Sequence, residues 1–241
     1  MPLLFYTLIY PSYYLSKELI IFYQNLPKEA EKNYFKNMEN QKSHWENVFA
    51  TKQPNEVSWT QHYPKMAIDY LENLNLSKTV NIIDIGGGDS NLVDALLEKG
   101  YQNIWVLDIS EFALERAKKR LGDKAHLVHW VVSDITEFKP DVTFDFWYDR
   151  AVFHFLTEEE SINKYVAIIG NTISRNGNFL LGTFSENGPL KCSGLEIKQY
   201  SENAMKQTFS ENFEAVKCFT ENHTTPFNTV QNFQFCGFKK I

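Results

Sequence analysis

Cysteine is scarce in these 241 residues: only Cys192, Cys218 and Cys236, with no C-x-x-C spacing. An odd, scattered count excludes a disulfide framework and a zinc-binding cluster, and predicts reduced thiols in a cytoplasm. A basic excess is also missing, since 24 Lys and Arg face 30 Asp and Glu for a net charge of −6. A free-standing reader of nucleic acid would carry a basic footprint, so that class is excluded. No apolar run reaches the roughly 20 residues of a membrane-spanning helix. The uncharged run of 16 at residues 1–16 is interrupted by Pro2, Pro11 and several tyrosines. It lacks the basic start and small-residue cleavage site of a secretory signal. What remains is 43% apolar and 22% charged, a globular composition sufficient for one large domain with at most a small appendage.

Residues 1–37 stand apart. They hold nine aromatics but no Gly and no Asp. We read them as an aromatic N-terminal extension that docks on the domain or touches a membrane surface. The alternative is upstream sequence read through from a misplaced start ahead of Met38. Residues 38–241 are then the functional domain.

From residue 38 the pattern alternates strand and helix. Residues 79–85 form a β-rich apolar run ending in Gly86-Gly87-Gly88, the signature of a buried parallel strand entering a tight turn. A helix over 91–99 follows, capped by Asp89 or Ser90 and stopped by Gly100. Strands are expected over 103–107, 126–133, 144–148 and 178–184. Helices fall over 111–121, behind Ser110, and from a Thr157/Glu160 capping box to about residue 173. After a long polar loop, 185–200, comes a helix from about Ser201. Two final strands near 213–220 and 231–239 have no crossover between them and should pair antiparallel. The fold class is therefore α/β: a doubly wound, mostly parallel, Rossmann-like seven-stranded sheet with a C-terminal antiparallel hairpin.

Ligands of such sheets bind beyond the carboxyl ends of the strands. Here the first four strands close on Asp84, Asp108, Asp134 and Asp149, which gathers four carboxylates on one rim. Glycines at 86 and 88 let a ligand approach the main chain closely. Asp108 follows Gly88 at the distance where an acidic side chain accepts both ribose hydroxyls of an adenosine. A dinucleotide fingerprint would need glycine at position 91, which is Asn91. A pyrophosphate also gains nothing from carboxylates at Asp84 and Asp89. S-adenosylmethionine, with an adenosine, an α-ammonium and a sulfonium but no phosphate, matches these residues.

The three motifs IIDIGGG, VLDIS and VSDI, in order on successive strands, resemble those of class I S-adenosylmethionine-dependent methyltransferases. By that resemblance Asp84, Gly86 and Gly88 line the methionine moiety, Asp108 takes the ribose, Asp134 with Ile135 flanks the adenine, and Ile109 is a further cofactor-binding position. Trp45-Glu46-Asn47-Val48-Phe49, Ser58-Trp59-Thr60-Gln61 and Asp149-Arg150-Ala151 resemble the thiopurine methyltransferase group and its bacterial relatives. In that group the N-terminal aromatics fold over the cofactor, which implicates Trp59, and the Asp-Arg pair faces the substrate. The group usually has Gly where this chain has Ala151. The Trp-rich lead-in also resembles small methyltransferases that modify lysines on proteins.

Asp149, Arg150 and His154 are the candidate acceptor-side residues, with Asp149 or His154 as a base if the acceptor must lose a proton. The blander alternatives are an Asp149–Arg150 ion pair and a hydrogen-bonded packing role for His154. Tyr148, pointing away from Asp149, reads as core. No Asn/Asp-Pro-Pro-aromatic turn follows strand four and no proline precedes a cysteine, two further marks against nucleic-acid methylation. The sequence predicts a cytoplasmic enzyme that uses S-adenosylmethionine and no metal to methylate an N, S or O nucleophile. A small-molecule acceptor is expected ahead of a protein lysine. Alternatives of another class are an NAD-dependent oxidoreductase and a non-catalytic cofactor-binding module.

Overall fold

The computed structural model describes residues 28–241, with side chains from Glu39 onward. Most of the aromatic N-terminal extension expected over 1–37 lies outside the described residues. Helix α1, Lys28–Thr51, passes through the boundary expected at residue 38, and the compact unit spans His44–Ile241. Within that unit the order is α2 (Lys65–Asn73), β1 (Asn81–Ile85), α3 (Leu92–Glu98), β2 (Asn103–Asp108) and α4 (Glu111–Leu121). Next come β3 (Val128–Val132), β4 (Phe144–Arg150), α5 (Glu159–Thr172) and β5 (Ile173–Phe184). A two-residue hairpin, β6 (Lys191–Cys192) and β7 (Leu195–Glu196), precedes α6 (Glu202–Phe209), β8 (Phe213–Thr224) and β9 (Val230–Lys240).

The main sheet has seven strands in the order β3-β2-β1-β4-β5-β9-β8. β1 pairs in parallel with β2 and β4, β2 with β3 and β4 with β5, while β9 runs antiparallel to β5 and β8. The direction of winding reverses between β1 and β4, so the crevice where a ligand belongs opens at their carboxyl ends. Alternation along the buried strands sends side chains to two cores. On one face Ile82, Ile104, Phe146 and Leu180 pack under Ile68 and Leu71 of α2, Leu92 and Leu96 of α3 and Leu114 of α4. On the other Ile83, Trp147, Phe179 and Leu181 pack under Tyr165 and Ile169 of α5 and Phe209 of α6.

Two local expectations are corrected. The N-cap of α5 is Glu158, without a side-chain cap bond, so Thr157 does not form a capping box with Glu160. The cysteines are not all reduced. Residues 218 and 236 are register partners on β8 and β9, and the Cys218–Cys236 disulfide closes across them, leaving Cys192 free and buried. Linear spacing gave no hint because it is the antiparallel register, not proximity in sequence, that sets the two sulfurs face to face. Among the described residues no helix is long and apolar enough to cross a membrane.

Candidate active site

The turn after β1 is bent by two left-handed glycines, Gly86 (φ 62°) and Gly88 (φ 47°). A Cβ at Gly86 would stand 2.0 Å from Val152 Cγ2, and one at Gly88 3.1 Å from Asp108 Oδ2 and 3.2 Å from the Phe49 ring. Both conformation and space therefore demand glycine here. Asp84 lies on β1 beside this turn and is buried. Its carboxyl is pushed well above its ordinary value by burial, then by the charges of Asp149 and Asp108, against a lowering by Arg150.

Asp108 ends β2 over the same turn. Its Oδ1 accepts the Ser110 N–H at 2.8 Å, and burial raises its pKa to about 7 despite donation from the Ser110 and Gly88 amides. Asp89 and Glu46 push it in the same upward direction. Asp134, just past β3, caps the turn Ile135–Glu137 by accepting the Thr136 N–H at 2.8 Å, beside the buried side chain of Ile135. Ile109 is half-buried between Asp108 and Ser110.

The C-terminal part of α1 closes over this rim. Phe49, Trp45 and Trp59 form an edge-to-face cluster, with centroids 5.7 Å apart for Trp45–Trp59 and 6.1 Å for Phe49–Trp59. Phe155 joins at 5.2 Å from Trp45. Glu46 accepts from Ser110 Oγ at 2.7 Å and from the Glu111 and Phe112 amides, so it caps the start of α4 directly after Asp108. Arg116 of α4 donates to the Phe49 and Lys52 carbonyls and pairs with Asp89 at 3.0 Å. Arg120 donates to the Asp89 and Ser90 carbonyls and pairs with Asp94. These clamps escaped the sequence reading, because charges at helical spacing look like a solvated face until the partner loops are in place.

β4 divides its last residues between two faces. Asp149, wholly buried, turns toward α5: its carboxylate accepts the Val152 N–H at 3.0 Å, the Phe153 N–H and the Tyr165 hydroxyl at 2.8 Å. Burial holds its pKa up at about 6 against those donors. Arg150 turns the opposite way, its guanidinium 4.6 Å over the Phe233 ring and Nη1 donating to the Trp59 carbonyl at 3.0 Å. No Asp149–Arg150 ion pair forms. His154 is fully buried, with Nδ1 accepting the Phe184 N–H at 3.3 Å. Burial and the Arg150 charge lower its pKa to about 3, so the ring is neutral and Nε2 carries the hydrogen. Tyr148 points to the Arg150 face, away from Asp149, as expected of alternation. Structure thus brings Arg150 and His154 together and sends Asp149 elsewhere.

The cradle fits S-adenosylmethionine. Glycine backbone is bare where a ligand would pass, the buried Asp108 carboxyl stands over the same turn, aromatic rings line the cover, and mutually repelling carboxylates at Asp84 and Asp108 gain from a cation. A pyrophosphate would meet the same carboxylates as a repulsion.

Residues 82–177 match the family model described as a methyltransferase domain. The eEF1A lysine and N-terminal methyltransferase of Mus musculus is 27% identical over 146 residues, which are 57% of this chain and 20% of that protein. The chain therefore spans about a fifth of that relative's length. A solved S-adenosylmethionine-dependent methyltransferase from Anabaena variabilis superposes with a TM-score of 0.66 at 14% identity, covering 85% of this chain and 95% of the other. The 1,6-didemethyltoxoflavin-N1-methyltransferase of Burkholderia thailandensis, solved with its substrate and S-adenosylhomocysteine, gives a TM-score of 0.62 at 15% identity, covering 89% and 90%. Fold and family model agree: the chain has the fold of class I S-adenosylmethionine-dependent methyltransferases, and residues 82–177 of it match a methyltransferase domain.

Proposed function

We propose that the protein methylates a nucleophilic N, S or O atom of a small molecule, using S-adenosylmethionine held over Gly86–Gly88 and Asp108. The observation that carries the reading is the crevice between β1 and β4. The glycine turn and Asp108 line one side of it, and Arg150 with His154 the other. Trp59, Asp84, Gly86, Gly88, Asp108, Ile109, Asp134 and Ile135 are assigned to the cofactor.

The bound cofactor supplies an activated methyl group, so the chain's own work is alignment and exclusion of water. Held by Gly86–Gly88 and Asp108, the cofactor would give that methyl to the acceptor's lone pair and keep the methyl–sulfur bonding pair, becoming a neutral thioether. Arg150 and His154 are assigned to orient the acceptor. Asp149, whose oxygens serve the turn over 150–153, is assigned as a positioning residue. His154 offers a hydrogen at Nε2 and no free lone pair, so it acts as a donor and the acceptor's proton leaves by another route.

The finer branch, the thiopurine methyltransferase group, rests on Trp45 to Phe49, Ser58 to Gln61 and the Asp149-Arg150 pair. The domain is assigned to residues 38–241 and the cytoplasm is assigned as its compartment. A second reading, methylation of a protein lysine, is favoured by the likeness to the eEF1A lysine and N-terminal methyltransferase. Calorimetry with S-adenosylmethionine, followed by release of S-adenosylhomocysteine over panels of small acceptors and lysine peptides, tests both. Binding with turnover on small acceptors supports the main reading. Turnover on peptides alone would transfer it to the second, and failure to bind the cofactor would end both.

A further inference from the structure

We infer that the methyl acceptor carries a carboxylate, anchored by Arg150, His154 and Tyr148; this rests on reading the end of β4 as the acceptor site. Three buried side-chain groups on this one side of the sheet have no hydrogen-bond partner among the described residues: Arg150 Nη2, His154 Nε2 and Tyr148 Oη. Each has hydrogen to give. Arg150 has committed Nη1 to the Trp59 carbonyl and holds its guanidinium 4.6 Å over the Phe233 ring, which leaves Nη2 as its uncommitted donor. His154 has committed Nδ1 to the Phe184 amide, which makes Nε2 the N–H. Tyr148 is two residues before Arg150 on β4 and shares its face.

Buried donors without acceptors are costly, and native proteins rarely leave several together unless a ligand answers them. The answering group must be rich in lone pairs and poor in hydrogens. A lysine ammonium has only donors and would meet the guanidinium as a like charge. The other charged or titratable groups facing Arg150 are Asp84, Glu221 and Cys192, with His223 behind, and no hydrogen bond joins any of them to the guanidinium. Asp84 and Glu221 disfavour a dianion such as a phosphate monoester. A planar monoanion matches both the single positive charge and the flat guanidinium edge.

Benzoate and its neutral isostere benzamide are suitable probes, titrated calorimetrically into the full chain saturated with S-adenosylhomocysteine. Benzoate should bind about tenfold more tightly than benzamide, and Arg150→Met should abolish that preference. Tyr148→Phe, which removes one hydroxyl from an otherwise apolar contact, keeps the test open should the arginine variant fail to fold; it should weaken benzoate about three- to tenfold. S-adenosylhomocysteine affinity should stay unchanged in Tyr148→Phe, whose hydroxyl bonds to none of the groups assigned to the cofactor. Equal binding of the two probes, or indifference to both substitutions, overturns the carboxylate anchor while leaving the methyltransferase reading intact. With S-adenosylmethionine in place of S-adenosylhomocysteine, the added sulfonium charge should tighten benzoate further. Arg150-dependent binding that ignores that charge would overturn the reading of the end of β4 as the acceptor site, and the proposal with it.

Discussion

The Tyr165 hydroxyl donates to Asp149 Oδ2 at 2.8 Å while its oxygen accepts the Trp147 indole N–H at 3.0 Å. All three side chains are fully buried. A residue in the middle of α5 thereby fixes the carboxylate that holds the turn carrying Arg150 and His154. Tyr165→Phe removes the hydroxyl and leaves both an indole N–H and a carboxylate oxygen short of a partner. The expected loss is about 2–4 kcal/mol of stability, read by denaturant unfolding. Cofactor affinity should hold, since Tyr165 lies on the opposite face of the sheet from Asp84. A Tyr165→Phe protein as stable as the parent would show the chain of bonds to be unimportant.

How much of this was readable beforehand depends on whether a residue's role is local. The strand ends at Asp84, Asp108 and Asp149, the glycine turn and the Ser110 cap are set by neighbours in sequence, and the pattern exposed them. Tyr165 was hidden because it occupies the apolar stripe of α5 with Ile162 and Ile169, where an aromatic reads as core. Glu46 and Arg116 act across 64 to 67 residues of chain, and the Cys218–Cys236 pair needs the β8–β9 register. His154 showed its burial among Phe153 and Phe155, but its tautomer depends on the distant Phe184 amide.

Asp108 should make cofactor binding depend on pH. Only the ionised carboxylate can accept both ribose hydroxyls, and its pKa in this structure is raised to about 7. Affinity for S-adenosylmethionine should therefore fall roughly tenfold from pH 8 to pH 6, measured by calorimetry. Folding stability carries the opposite sign. The folded value exceeds the ordinary 3.8, so the folded protein binds the proton more tightly. That contribution is fully present below the ordinary value and is lost as pH rises through about 7. Asp149, raised to about 6, acts in the same direction. An Asp108→Asn variant should bind weakly and lose the pH dependence; a pH-independent parent would remove Asp108 from the ribose site.

Ala151 and Gly86 make a matched pair. Ala151 sits at φ 72°, a left-handed conformation that costs a residue with a Cβ about 1–2 kcal/mol. Ala151→Gly should stabilise the protein by up to about 1 kcal/mol after the added freedom of the unfolded chain is counted. Gly86→Ala has the same backbone penalty and a Cβ 2.0 Å from Val152 Cγ2, so it should cost about 3 kcal/mol and weaken cofactor binding. Thermal melts of the two variants should move in opposite directions. A loss in both would place the strain elsewhere.

The Cys218–Cys236 bond joins partners 18 residues apart and closes the β8–β9 hairpin. Closing a loop of that size restricts the unfolded chain by about 3 kcal/mol. Reduction, or Cys218→Ser with Cys236→Ala, should lower the melting temperature by about 10 °C in a chain of this length. Cys236 and Cys218 belong to the core under α5 and α6, whereas Phe233 and Phe235 of the same strand face the Arg150 side. Cofactor affinity should therefore survive reduction. The same bond tests the assignment to the cytoplasm, where thiols are kept reduced. Alkylation of freshly lysed cells should label both residues if that compartment is right. Accumulation of the oxidised form would place the working protein in an oxidising one, and an unchanged melting temperature on reduction would mean the bond restrains nothing that the strand pairing does not already hold.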